Sequence, residues 1–335
     1  VNLNKAETMQ FHPLLDHHPI PLVPAIDPDD DNSAEAAVRW AKANAGAIET
    51  TVNRAGVVLV RGFEIDTPEA FRAVCQAIRP DLQNYTAGDS PRKSVADQVY
   101  TSSEYPQELE VLLHNELAYA GWSPDRVFFG CMYASETGGE THIADGRAIY
   151  EVLDPVIRDR FESRGIVYLQ HLWDAGGAPG IGLSWQDTFE NTDKGEVEGY
   201  LERSNMAYEW TDFGLRTRAP HKAVLQHPVT GEKCWHNQAD QWHRAMKSVK
   251  VSFGAQGDSR FEPTTAGEET LGNHVVFGDG GEIDPSDLEA IREASKRCEV
   301  LFPWRSGDIM VIDNIMAMHG RKPFTGSRRI LVAMA

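Results

Sequence analysis

Asp308-Ile309-Met310-Val311-Ile312-Asp313-Asn314, followed by Met318-His319-Gly320-Arg321, is the stretch on which the fold turns. Residues 308–313 follow the turn Arg305-Ser306-Gly307 and form a short apolar run, which reads as a buried strand. Asp313-Asn314 ends it. Beyond His319, Arg328-Arg329 opens a second apolar strand, Ile330-Leu331-Val332-Ala333-Met334. Strand alternation turns one of these arginines inward, and Arg329 is the expected one. A buried guanidinium needs an anionic partner. That partner is either an ordinary internal acid or the carboxylate of a co-substrate.

A second stretch gives the histidine its meaning. His114-Asn115-Glu116 lies between Leu112-Leu113 and Leu117-Ala118. On a strand, the i, i+2 spacing points both side chains to one face. His114, Glu116 and His319 together make two imidazoles and one carboxylate, a set that holds iron(II) and leaves coordination positions open. Each part also has a plainer reading: a chance His-x-Glu pair, or a histidine capping a strand end. Thr141, after Gly138-Gly139-Glu140, is either a turn threonine or a hydroxyl aimed at the same carboxylate as the arginine. His12, His17 and His18 sit among prolines and read as surface residues. His236 and His243 flank a stretch suited to a pocket wall, and a zinc site built from the other histidines is the weaker alternative.

The bulk numbers set limits. At 335 residues the chain can bury a large core without disulfides. Its net charge of −18 disfavours nucleic acid and anionic membranes as partners. Cys75, Cys131, Cys234 and Cys298 are widely spaced and read as isolated thiols. With no long apolar run and no signal-peptide core, the sequence reads as a cytoplasmic protein.

One domain over 1–335 is expected: an N-terminal arm and helix over 1–50, and a β-rich core with helical insertions over 110–335. The Pro-, His- and Asp-rich residues 11–32 read as an ordered surface arm or lead-in loop. Ser33 caps a helix running toward Asn44, residues 56–63 hold a strand between glycines, and Pro68 opens a helix ending at Ile78. A helix over 152–164 separates strands at 127–133 and 165–170. Further strands are expected at 223–227, 298–302, 308–313 and 328–334, and helices at 194–205 and 285–297. The regular βαβ cadence of a doubly wound sheet is missing. Strands with long insertions and ligands from distant positions suit a mainly β fold, a double-sheet jelly roll.

The ordered set of motifs resembles the taurine-dioxygenase-like family of iron(II)- and 2-oxoglutarate-dependent oxygenases, closest to its syringomycin-biosynthesis type branch. The segments are His114-Asn115-Glu116, Glu136-Thr137-Gly138-Gly139-Glu140-Thr141, Gly182-Leu183-Ser184-Trp185-Gln186, His227-Pro228-Val229-Thr230-Gly231-Glu232, Trp235-His236-Asn237-Gln238 and His319-Gly320-Arg321 through Arg329. The resemblance runs from about residue 50 to the end and implies a clavaminate synthase-like double-stranded β-helix. It implies His114, Glu116 and His319 as iron ligands, and Thr141 and Arg329 as contacts to 2-oxoglutarate, with dioxygen as second co-substrate. The glutamate stands where aspartate is commoner. Ala333 stands where taurine-type enzymes place a second arginine, which argues against taurine as substrate, and Glu116 argues against halogenation.

The implied activity is hydroxylation of an unactivated C–H bond in a free amino acid or similar small polar metabolite of secondary metabolism. Desaturation or cyclisation at the same site, or a substrate tethered to a carrier protein, are the alternatives. A metal-binding module without catalysis is the non-enzymatic one. Arg92, Tyr100, Trp185, Asn237 and Arg321 are the expected substrate contacts.

Overall fold

The computed structural model describes residues 9–26, 31–85, 88, 92–102, 105–177, 182–246, 249–253, 259–263 and 272–335. Its centre is an eight-stranded sheet. In spatial order the strands are Phe11–Leu15, His18–Pro24, Val57–Val60, Ile309–Asp313, Arg126–Tyr133, Arg329–Met334, Val99–Thr101 and Ser94–Ala96.

The central strands are buried on both faces, and this explains their nearly continuous apolar sequence. Val57, Leu59, Val127, Phe129, Met310, Ile312, Ile330 and Val332 point into the core between the sheets. Their neighbours Val58, Val60, Phe128, Ile309, Val311, Leu331 and Ala333 pack on the other side. There they meet two helices. Ala34–Ala55 is capped by Ser33, and Pro68–Ile78 is capped by Thr67 with proline in its first turn. Gly130 lies under the second helix, where a Cβ would strike the Phe71 ring.

Two four-stranded sheets face the inner side. One runs Ala207–Trp210, Gly214–His221, Ile166–Trp173, Asn273–Phe277. The other runs Glu299–Val300, Ile143–Asp145, Ala317–Arg321, Val111–His114. The expected mainly β jelly roll with helical insertions is the observed architecture.

Three expectations need correcting. Residues 11–24, within the stretch expected as a surface arm or lead-in loop, form a hairpin that extends the main sheet, its second strand pairing in parallel with Val57–Val60. The helix expected over 152–164 starts later, at Pro155, because Asp154 caps it and Pro155 occupies its first turn, while Val152 ends a separate helix, Gly146–Val152. His319 does not trail a strand but lies within one.

Candidate active site

Adjacent strands bring the two histidines together. His319 on Ala317–Arg321 pairs directly with His114 at the end of Val111–His114, and their rings are 4.5 Å apart. The residue after His319 is glycine because the partner strand crosses closely: a Cβ there would run into the Val111 carbonyl and the His142 ring. Phe129, from the large sheet, packs edge-on against His319.

Glu116 reaches the same point by a different route from the one its spacing suggests. The strand ends at His114, so Glu116 is not on it. Asn314 fixes its peptide instead. The Glu116 N–H donates to Asn314 Oδ1 at 2.7 Å, and Asn314 Nδ2 donates to the Glu116 carbonyl at 2.9 Å. Asn115 completes the tie by donating to the Asn314 carbonyl, and Gln238 donates to that of Asn115. Glu116 Oε2 then lies 3.5 Å from His319 Nε2. His114, Glu116 and His319 present ligand atoms that all lie within 4.8 Å of one another.

The donor set fits a divalent ion. His114 Nδ1–H donates to the Leu112 carbonyl at 2.8 Å, leaving the Nε2 lone pair free. Burial, then the neighbouring His319, pushes the His114 pKa down to about 3, so the ring is neutral at physiological pH. Burial also lowers that of His319, whose Nδ1 is buried without a partner. Burial opposes the charge on Glu116, but the Arg92 guanidinium and His319 prevail and hold the carboxyl well below the usual range. Two neutral imidazoles and one carboxylate are the forms that bind metal.

A second polar cluster centres on Thr141, two residues before Ile143, which pairs with His319. Thr141 Oγ1 accepts from Trp304 Nε1 at 3.1 Å and from Arg328 Nη2 at 3.4 Å. The structure thus places Arg328, not the expected Arg329, against Thr141. Strand parity explains the reversal. Ile330 and Val332 face the inter-sheet core while Leu331 and Ala333 face the helices, so Arg328 shares the inward parity. Both faces are apolar, and hydrophobicity alone does not distinguish them. Arg329 pairs with Tyr133 beside a register shift at Ile330.

Arg328 donates to the Gly139 carbonyl and to the Ser102 and Thr141 hydroxyls, all neutral acceptors. Burial, then the nearby Arg321, pushes its pKa down to about 9. A guanidinium so destabilised, with neutral partners alone among the described residues, suits an incoming carboxylate.

The five expected substrate contacts separate. Arg92 meets the triad directly, donating to Glu116 Oε2 at 2.7 Å. Tyr100 is one step behind: its hydroxyl accepts from the Tyr85 N–H, and the Arg92 guanidinium lies 4.4 Å above the Tyr85 ring. Arg321 binds the Tyr105, Pro106 and Leu109 carbonyls and so anchors that loop to the His319 strand. Asn237 uses its amide on the Ala223 carbonyl and the Ala239 N–H. Trp185 is buried against Trp210, with its N–H on Asp174. These last two are packing groups in this structure.

The family model described as Taurine catabolism dioxygenase TauD, TfdA family matches residues 20–334, and the chain belongs to that family. It is accordingly a dioxygenase of the kind that depends on iron(II), 2-oxoglutarate and dioxygen. Over 288 residues it is 33% identical to the dapdiamide synthesis protein DdaC of Enterobacter agglomerans, covering 86% of this chain and 84% of that one. It is 30% identical over 295 residues to a clavaminate synthase-like protein of Arabidopsis thaliana, covering 86% and 83%. Among solved structures it resembles asparagine oxygenase in complex with Fe(II), 2S,3S-3-hydroxyasparagine and succinate. The TM-score is 0.53 at 14% identity, over 92% of this chain and 85% of that one, a likeness of fold. Among the described residues, no helix is long and apolar enough to cross a membrane.

Proposed function

We propose that this dioxygenase hydroxylates an unactivated C–H bond of a free amino acid or similar small polar metabolite in a biosynthetic pathway. In this reading His114, Glu116 and His319 hold iron(II), and Thr141 with Arg328 binds the distal carboxylate of 2-oxoglutarate. The carrying observation is a neutral two-histidine, one-carboxylate set together with a half-buried arginine whose hydrogen-bond partners among the described residues are all neutral. The bound iron would supply oxygen activation and hydrogen abstraction, chemistry that no side chain performs.

The protein's own task is placement. Asn314 fixes the Glu116 peptide, the Leu112 carbonyl fixes the His114 tautomer, and Arg321 holds the 105–109 loop against the His319 strand. The inward face of the large sheet lines the site with Phe129 and keeps water from His319. Such placement selects one C–H bond and protects the pocket from a misdirected oxidant. The naming of one relative for dapdiamide synthesis, and of a structural neighbour for asparagine oxygenation, supports an amino-acid-like substrate.

The test is succinate release with iron(II), ascorbate and 2-oxoglutarate across a panel of amino acids, with product mass. A gain of one oxygen is expected. A loss of two hydrogens would assign desaturation or cyclisation instead. No succinate from an iron-loaded sample, coupled or uncoupled, would refute the proposal.

A further inference from the structure

Arg92 is held in a way that its contact with Glu116 does not explain. Its side chain is only 7% exposed. Nη2 is bonded to Glu116, but Nε and Nη1 are buried without a hydrogen-bond partner among the described residues. Unmet buried donors are costly, and a guanidinium is a fork shaped for a planar carboxylate. The group does not drift freely, because the Tyr85 ring supports it from below and the Tyr100 hydroxyl holds the Tyr85 backbone. The Glu116 oxygen it binds is the same Oε2 that faces His319. A metal ion on the triad would therefore draw on the negative charge that Arg92 uses in the structure.

We propose that Arg92 is the clamp for the carboxylate of an amino-acid substrate, held by Glu116 until a metal ion takes over that glutamate. This rests on the reading of His114, Glu116 and His319 as a metal site. The partner exchange makes the two events ordered. Metal binding draws Glu116 away from Arg92, and the released guanidinium then presents its donors beside the metal. Before that, the carboxylate subsite is closed by an internal ion pair. The rival is a permanent pair in which Arg92 only orients Glu116 for the metal.

The experiment uses manganese(II) as a redox-inert probe, with 2-oxoglutarate present, on the full chain and on Arg92→Met and Arg92→Lys. Metal affinity is read by titration. Substrate-site occupancy is read by displacement of manganese-bound water, using the protein amino acids and their carboxamides. Arg92→Met is expected to bind manganese(II) at least tenfold more tightly. At least one free acid is expected to bind wild type tenfold or more above its carboxamide, only with metal present. That preference is expected to vanish in Arg92→Met and to return in part in Arg92→Lys. Weaker manganese binding in Arg92→Met would make Arg92 an orienting group for Glu116 and overturn the proposal. So would an acid preference that survives in Arg92→Met, that needs no metal, or that is missing across the wild-type panel. Failure of wild type itself to bind manganese would strike instead at the metal reading beneath it.

Discussion

Replacing Arg328 by methionine tests the assignment of the co-substrate pocket, because two effects of opposite sign are expected from one substitution. In the ligand-free protein the guanidinium is a burden. Burial and the neighbouring Arg321 push its pKa from 12.5 down to about 9. At about 1.4 kcal/mol per pH unit, discounted for its residual contact with solvent, this is a native-state cost of roughly 2–4 kcal/mol. Methionine removes the charge and keeps most of the volume, so the metal-free variant should be more stable in urea than wild type. Co-substrate binding should move the other way. Removing one partner of a buried charge pair costs about 2–5 kcal/mol, and 2 kcal/mol alone is about thirtyfold in Kd. Anaerobic titration of 2-oxoglutarate into manganese-loaded protein would measure it. Arg329→Met is the control and should leave the affinity within about threefold, at most ~0.7 kcal/mol. If Arg329→Met abolished binding while Arg328→Met did not, the inward parity argued for Arg328 would be refuted.

Three further outcomes follow from the site. Asn314→Ala removes both bonds to the Glu116 peptide, together with those to Ser123 and Pro124; manganese affinity should fall roughly 10–100-fold with the fold retained, as calorimetry and circular dichroism would show. Gly320→Ala forces a methyl against the Val111 carbonyl and the His142 ring, so the paired histidine strands should spread; a cost of about 1–3 kcal/mol in urea and weaker metal binding are expected, and unchanged values would contradict the close crossing. Burial pushes the His236 pKa down to about 4 from 6.5, so the unfolded chain binds a proton that the native state resists. Its contribution is fully present above pH 6.5 and lost as the pH falls toward 4, about 3 kcal/mol in all; urea midpoints of metal-free protein should record this, and His236→Leu should flatten the curve.

Much of the framework was legible because its signals are local. Ser33 and Pro68 mark helix starts through capping and proline geometry, and the structure begins helices at these points. The strands at 57–60 and 309–313 show as short apolar runs between turns. What stayed hidden depends on tertiary context. The His18–Pro24 strand is rich in proline and reads as a loop until a sheet edge receives it. Asn314 reads as a strand terminator, and only the fold reveals that it grips Glu116 from 198 residues away. The choice between Arg328 and Arg329 turned on which of two equally apolar faces looks into the jelly roll. Asn237 and Trp185 lie in motifs that invite a substrate role, yet their polar atoms are engaged by the scaffold.

The hold of Asn314 on both the N–H and the carbonyl of residue 116 has an evolutionary corollary. That peptide is anchored by its main chain, so the position does not depend on which side chain it carries. Descendants of this enzyme can change the group at 116 while its main chain keeps its place, and Arg92 is then the group left to be re-partnered. New reactivity at this centre is therefore open to single-codon change, without a rebuilt scaffold.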